Sequence, residues 1–157
     1  MNLKEFLSIN GMDILKINPK YLDIEVKFSE ADKKAAWDLY IELITRTTTQ
    51  QLPAKYGDEQ RALESVHEIF PLTRQIIKEN GRKCIQFTKI AVIVLNQVLR
   101  PFTAKWHKLC LEGAFKNQKD CKSFRTELAK LQITLKNYTR MLSAIAEVED
   151  LTNFQES

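Results

Sequence analysis

The sequence predicts a mainly α-helical fold: an antiparallel helical bundle of four to five helices, two of them proline-kinked, with a small N-terminal β element. Three observations point there. The 157 residues include only four glycines and four prolines, too little turn material for a β-sandwich or barrel. Hydrophobic residues make up 44% of a chain long enough to bury a core. Phe124, Leu128, Leu131, Leu135, Tyr138, Leu142 and Ile145 alternate steps of three and four, the seam of a helix packed within a bundle or against a second copy.

Taken in order, Leu3, Phe6 and Leu7 form one short helical face before Gly11. After Asn18-Pro19, Leu22, Ile24, Val26 and Phe28 alternate with Asp23, Glu25 and Lys27, the period of a half-buried strand, with Ile14 to Ile17 as its hairpin partner. A lone hairpin is marginal in water, so this one is expected to lie on the helices or lend its edge to another chain. Ser29 and Asp32 read as a cap for a helix from Glu30 to about Gln51, with Trp37, Tyr40, Ile41 and Ile44 on one face and Asp38, Glu42 and Arg46 on another. A polar stretch from Thr45 to Gln51 closes it before Pro53 and Gly57.

A second helix is expected from Asp58 to Asn80, kinked or split by Pro71 and ended by Gly81. The third begins near Arg82, and its run Ile90 to Leu95 has no polar face, which predicts a central helix buried on nearly all sides. Pro101 interrupts the pattern, which resumes to Leu111, and Gly113 and Asn117 make the turn into the last helix. Residues 1–152 read as one domain, with the short helix and β element in 1–28 and the bundle in 29–152. Residues 153–157 read as a disordered tail.

Charge is unevenly distributed. From Arg82 to Arg140 there are thirteen basic residues against three acidic ones, a local +10 on a chain whose net charge is +4. One surface is therefore expected to attract anions and another to repel them. In the last helix Glu127 is the only acid between Lys122 and Arg140. Lys105, Lys108, Lys122, Arg125, Lys130, Lys136 and Arg140 are the candidate anion-binding residues, facing RNA, DNA or an acidic protein. Aromatics are too sparse among them for a base-stacking platform. The longest apolar run, Ile90 to Leu95, is far short of the roughly 20 residues of a membrane span, and Met1 to Phe6 lacks a secretion-signal pattern, which predicts a cytoplasmic protein without a membrane partner. Cys84, Cys110 and Cys121 follow no disulfide framework and read as reduced thiols.

Chemistry finds few footholds. There is no phosphate-binding glycine loop, nucleophile elbow or dinucleotide fingerprint, so no cofactor is expected. His107, Cys110 and Cys121 are three scattered ligands where a structural zinc wants four, so no metal is assigned. Each histidine follows an arginine: His67 comes six residues after Arg61, and His107 seven after Arg100. This spacing resembles the motif of HEPN ribonucleases, themselves helical bundles of about this size. The resemblance implies a dimer cleft in which arginine and histidine assist attack of an RNA 2′-hydroxyl on the adjacent phosphate. The residue after the arginine, commonly polar in that family, is Ala62 or Pro101 here. Arg100 and His107 are the better pair, because seven residues are nearly two helical turns and both would share a face.

The leading expectation is a non-catalytic interaction or adaptor subunit of an intracellular, bacterial-type assembly, binding a protein partner or a second copy of itself. A nucleic-acid-binding module and a HEPN-like metal-independent ribonuclease are the alternatives. Whether Arg46, Arg74 and Arg100 are buried in polar networks stays open at this level.

Overall fold

In the computed structural model, which describes residues 1–46, 49–50, 52 and 58–154, the chain is mainly helical. Its α-helices are α1 (Leu3–Ile9), α2 (Pro19–Leu22), α3 (Glu30–Ile44), α4 (Glu59–His67), α5 (Ile69–Asn80), α6 (Ile85–Val94), α7 (Arg100–Leu111) and α8 (Gln118–Ala146). Short 3₁₀ turns at Arg82–Cys84 and Ala114–Lys116 join α5 to α6 and α7 to α8. Thr47, Thr48, Gln51, Pro53 and Gly57, expected in the turn after the first long helix, lie outside the described residues, as do residues 155–157 of the expected tail.

The two prolines divide their helices by different means. Proline has no N–H and its ring crowds the carbonyl four residues back. For Pro71 that carbonyl belongs to His67, and α4 ends at this residue, with Glu68 as the hinge to α5. For Pro101 it belongs to Gln97, inside a single π-helical turn, Leu95–Leu99, where the Arg100 N–H reaches back five residues to the Leu95 carbonyl. The wider turn gives the ring room while the axis continues into α7. Gly81 ends α5 at φ 78°, a conformation that β-carbon-bearing residues adopt at a cost.

The expected N-terminal strand does not form. Residues Pro19–Leu22 are helical, and the pairing of the segment that follows is limited to an antiparallel bridge between Asn2 and Glu25. Two backbone bonds make it: the Leu3 N–H donates to the Ile24 carbonyl and the Val26 N–H to the Met1 carbonyl, each at 3.0 Å. The reason lies in the intended hairpin partner. The Lys16 N–H and carbonyl are both taken by the Gln97 side-chain amide, at 2.8 and 2.7 Å, so they have nothing left to offer a strand.

The centre of the fold is α3 against α8. Ala35, Ala36, Leu39, Tyr40 and Leu43 of α3 are fully buried, and all seven seam residues of α8 are between 0 and 7% exposed. The two helices run antiparallel: Lys33 near the start of α3 pairs with Glu147 just past the end of α8 at 3.1 Å. The Gln132 amide, mid-α8, donates to the Gln50 carbonyl beyond the end of α3. α5 is also antiparallel to α3, held by Arg46 to Glu68 at 2.8 Å at one end and Asn80 to Asp38 at 3.2 Å at the other. At the opposite corner Phe102, Trp106, Phe115 and Phe124 interlock with ring centroids 4.9 to 6.0 Å apart, fixing α7 on α8. The expectation that the helix holding Ile90 to Leu95 is central and buried on nearly all sides is corrected: Ile90, Ala91, Val94 and Leu95 face inward, while Ile85 and Val92 are exposed.

Asp32 joins these parts. It is buried, closes a capping box with Ser29 at the start of α3, and accepts the Ser29 N–H at 2.8 Å. Its other oxygen accepts the Phe87 N–H at 2.9 Å, an otherwise orphaned donor in the first turn of α6. One carboxylate thus caps two helices 55 positions apart in the chain. The Ser29 hydroxyl, 2.7 Å from the Lys83 carbonyl, adds a link to the turn between α5 and α6.

Asp32→Ala is expected to destabilise the protein by about 2–4 kcal/mol, from the lost caps and the unsatisfied Phe87 N–H. Urea unfolding would register a lower midpoint at unchanged slope; Glu30→Ala, on an exposed neighbour, should stay within about 0.5 kcal/mol of the parent.

Burial also pushes the phenols of Tyr40 and Tyr138 up. Unfolded tyrosine ionises near pH 10, so below that pH both states keep the proton and stability is complete. Above it the unfolded chain releases protons that the native state retains, and stability falls as pH rises, by up to about 1.4 kcal/mol per pH unit for Tyr138. Denaturant midpoints measured on the alkaline side should show that fall, and Tyr138→Phe should flatten it.

Candidate functional site

The residues singled out from sequence separate into four groups. The seam of α8, from Phe124 to Ile145, lies in the interior and contacts α3 within the same chain, so it offers no surface to a second copy.

Arg100 and His107 both sit on α7, which is unbroken between them, and both are exposed. They are about 10 Å apart along the axis. The Arg100 guanidinium pairs with no carboxylate among the described residues; it donates to the Asn96 Oδ1 at 3.2 and 3.3 Å and lies over the Phe70 ring, 5.1 Å from its centroid. His107 has no hydrogen-bond partner among the described residues, and its neighbour Trp106 turns inward to the aromatic corner. The other pair diverges: Arg61 is exposed and lies 3.9 Å from Asp58, while His67 tilts against Phe70. Among the described residues no three His, Cys, Asp or Glu side chains come close enough together to hold a metal ion. Cys84 is buried against the Gly81 carbonyl, and burial pushes the half-buried Cys121 thiol up.

The seven candidate anion-binding residues divide. Lys105 is paired with Glu127 at 2.7 Å, and Arg125 with Glu59 at 2.8 Å, the latter partly buried between α8 and α4. Lys108, Lys122, Lys130, Lys136 and Arg140 are exposed and form no ion pair among the described residues; Arg140 donates to the Asn137 side chain. At 100° per residue, Lys119, Lys122, Lys130, Lys136 and Arg140 all lie within about 70° of the direction opposite the α8 seam. They span about 30 Å. The two acids of α8 lie off this stripe: Asp120 is in the first turn, and Glu127 leans towards α7 and Lys105. In the middle of the stripe is Ile133, 65% exposed.

Of the three arginines left open by the sequence, Arg46 is largely buried, bonding Glu42 at 3.1 Å and Glu68 at 2.8 Å. Arg74 and Arg100 are exposed. Beside Arg46, exposed Trp37 lies in a groove of about 440 Å³ between α3 and α5 that is lined by Asp38, Glu42 and Glu79 and by Lys34, which pairs with Asp38 at 3.0 Å.

A second concavity escaped the sequence reading. Residues 17–28 and the outward side of α6 enclose an apolar cavity of about 530 Å³. The alternation of Ile24, Val26 and Phe28 does put them together along one wall of it, but opposite a helix rather than a paired strand. The missed signal is in α6, where an apolar run longer than one buried face requires leaves Val92 exposed.

No helix among the described residues is long and apolar enough to cross a membrane. No protein-family model, curated protein or solved structure matches the chain.

Proposed function

We propose that the protein is a non-catalytic helical-bundle interaction subunit, an adaptor whose outer α8 face receives an acidic protein partner. The observation that carries this reading is Ile133, exposed at the centre of a stripe of five cations with no acid among them. An exposed apolar residue ringed by charge has the anatomy of a protein interface, an apolar centre with a polar rim. A phosphate backbone would use the lysines and leave Ile133 idle, and no aromatic side chain lies on the stripe to stack a base. The complementary partner is an amphipathic helix whose apolar ridge meets Ile133 and whose flanking carboxylates meet Lys122, Lys130, Lys136 and Arg140.

The spacing of Arg100 and His107 gives the ribonuclease alternative its place in the test, as does the stripe for nucleic acid. A synthetic Leu/Glu amphipathic helical peptide and an end-labelled single-stranded RNA serve as the two probes, each at low and physiological salt. The peptide should bind, Ile133→Ser should weaken it by about tenfold at either salt, and the joint reversal Lys122→Glu, Lys130→Glu, Lys136→Glu should remove its salt dependence. A salt-sensitive RNA shift without peptide binding would overturn this reading in favour of a nucleic-acid-binding module. RNA cleavage that disappears in His107→Ala would overturn it in favour of the ribonuclease.

A further inference from the structure

The cavity between residues 17–28 and α6 has the size of a small-molecule site. Such sites enclose roughly 300–1,000 Å³ and are lined mainly by apolar side chains with a few placed polar groups; this one encloses about 530 Å³. Ile17, Tyr21, Ile24 and Phe28 line one side and Val92 and Ile93 the other, and Tyr21, Ile24 and Val92 remain 42, 55 and 41% exposed at its rim. Apolar surface left open on both walls of one concavity is surface that a ligand would cover.

Besides the phenol of Tyr21, four polar residues line it: Glu25, Gln86, Thr88 and Lys89. Two are already engaged. The Thr88 hydroxyl donates to the Cys84 carbonyl at 2.8 Å, and the Glu25 carboxylate accepts from the Met1 amine at 2.7 Å. The Lys89 ammonium and the Gln86 amide have no partner among the described residues, and both can donate. The uncommitted polarity of the cavity is therefore that of a receptor for an anion. Shape narrows the occupant further. A helix roughly 10 Å across would use up this volume in under two turns, whereas an alkyl chain fits along it.

We infer that this cavity binds a single-chain amphiphile with an anionic head, its chain between the Ile24 and Val92 walls and its carboxylate at Lys89 and Gln86. The site is separate from the α8 stripe and does not depend on its reading.

Calorimetric titration of the whole chain with octanoate, decanoate and dodecanoate, and with the alcohol matching decanoate, tests this. Affinity should rise about fourfold per added methylene until the cavity is full. Lys89→Glu, an exposed position, should weaken decanoate by about tenfold and leave the alcohol unchanged. Val92→Glu, on the exposed side of α6, should abolish binding of both with the thermal unfolding midpoint preserved. Absence of saturable binding, affinity indifferent to chain length, variants that bind like the parent, or attachment only to anionic phospholipid vesicles would each overturn the inference.

Discussion

A single buried carboxylate holds the helices in register. Asp32 is inserted where α3 begins and where the first turn of α6 needs an acceptor, and its two oxygens serve Ser29 and the Phe87 N–H, while the Ser29 hydroxyl it helps to hold reaches the Lys83 carbonyl in the turn between α5 and α6. A buried carboxylate is tolerated only when its oxygens are hydrogen-bonded, so the surrounding donors must be in place together. That requirement couples the start of α3 to the start of α6 and, through α3, to the long antiparallel face of α8. Much of what the outer surface offers follows from it. With α3 and α8 locked seam to seam, the cations opposite the α8 seam point outward, and with the base of α6 fixed, the opposite side of that helix is left facing residues 17–28.

Local signals were legible and distant ones were not. The capping residues Ser29 and Asp32, the helix end at Gly81, the break before Pro71 and the three-four spacing of α8 are each decided within a few residues, and each is realised, whereas Pro101 is accommodated by the π-helical turn Leu95–Leu99 that leads directly into α7. The alternation from Leu22 to Phe28 predicts a strand that does not form: Ile24, Val26 and Phe28 line the cavity together with Glu25, and a strand needs a partner, whereas Lys16 is claimed by Gln97 from 81 positions away. Arg125 looks free in the sequence until Glu59, 66 positions distant, folds beside it. Likewise nothing near Asp32 in the chain announces Phe87. The apolar run in α6 serves two surfaces, and its composition does not distinguish a wall of the core from a wall of a cavity.

The resulting molecule separates its surfaces by chemistry. Cations line the outer face of α8 around Ile133, and the groove about Trp37 between α3 and α5 holds Asp38, Glu42 and Glu79, the first two paired with Lys34 and Arg46. The apolar cavity lies on a third side, with its donors unengaged at one end. Neither histidine has a hydrogen-bonded neighbour among the described residues: His67 tilts against Phe70, and His107 is exposed on α7.

The most direct test of this account is native-state hydrogen exchange at the Phe87 amide. An N–H in the first turn of a helix ordinarily has no intrahelical partner and exchanges quickly. If Asp32 binds it as described, Phe87 should exchange only through global unfolding, with a protection free energy matching that from denaturant. Rapid exchange at Phe87, while the middle of α6 stays protected, would contradict the account.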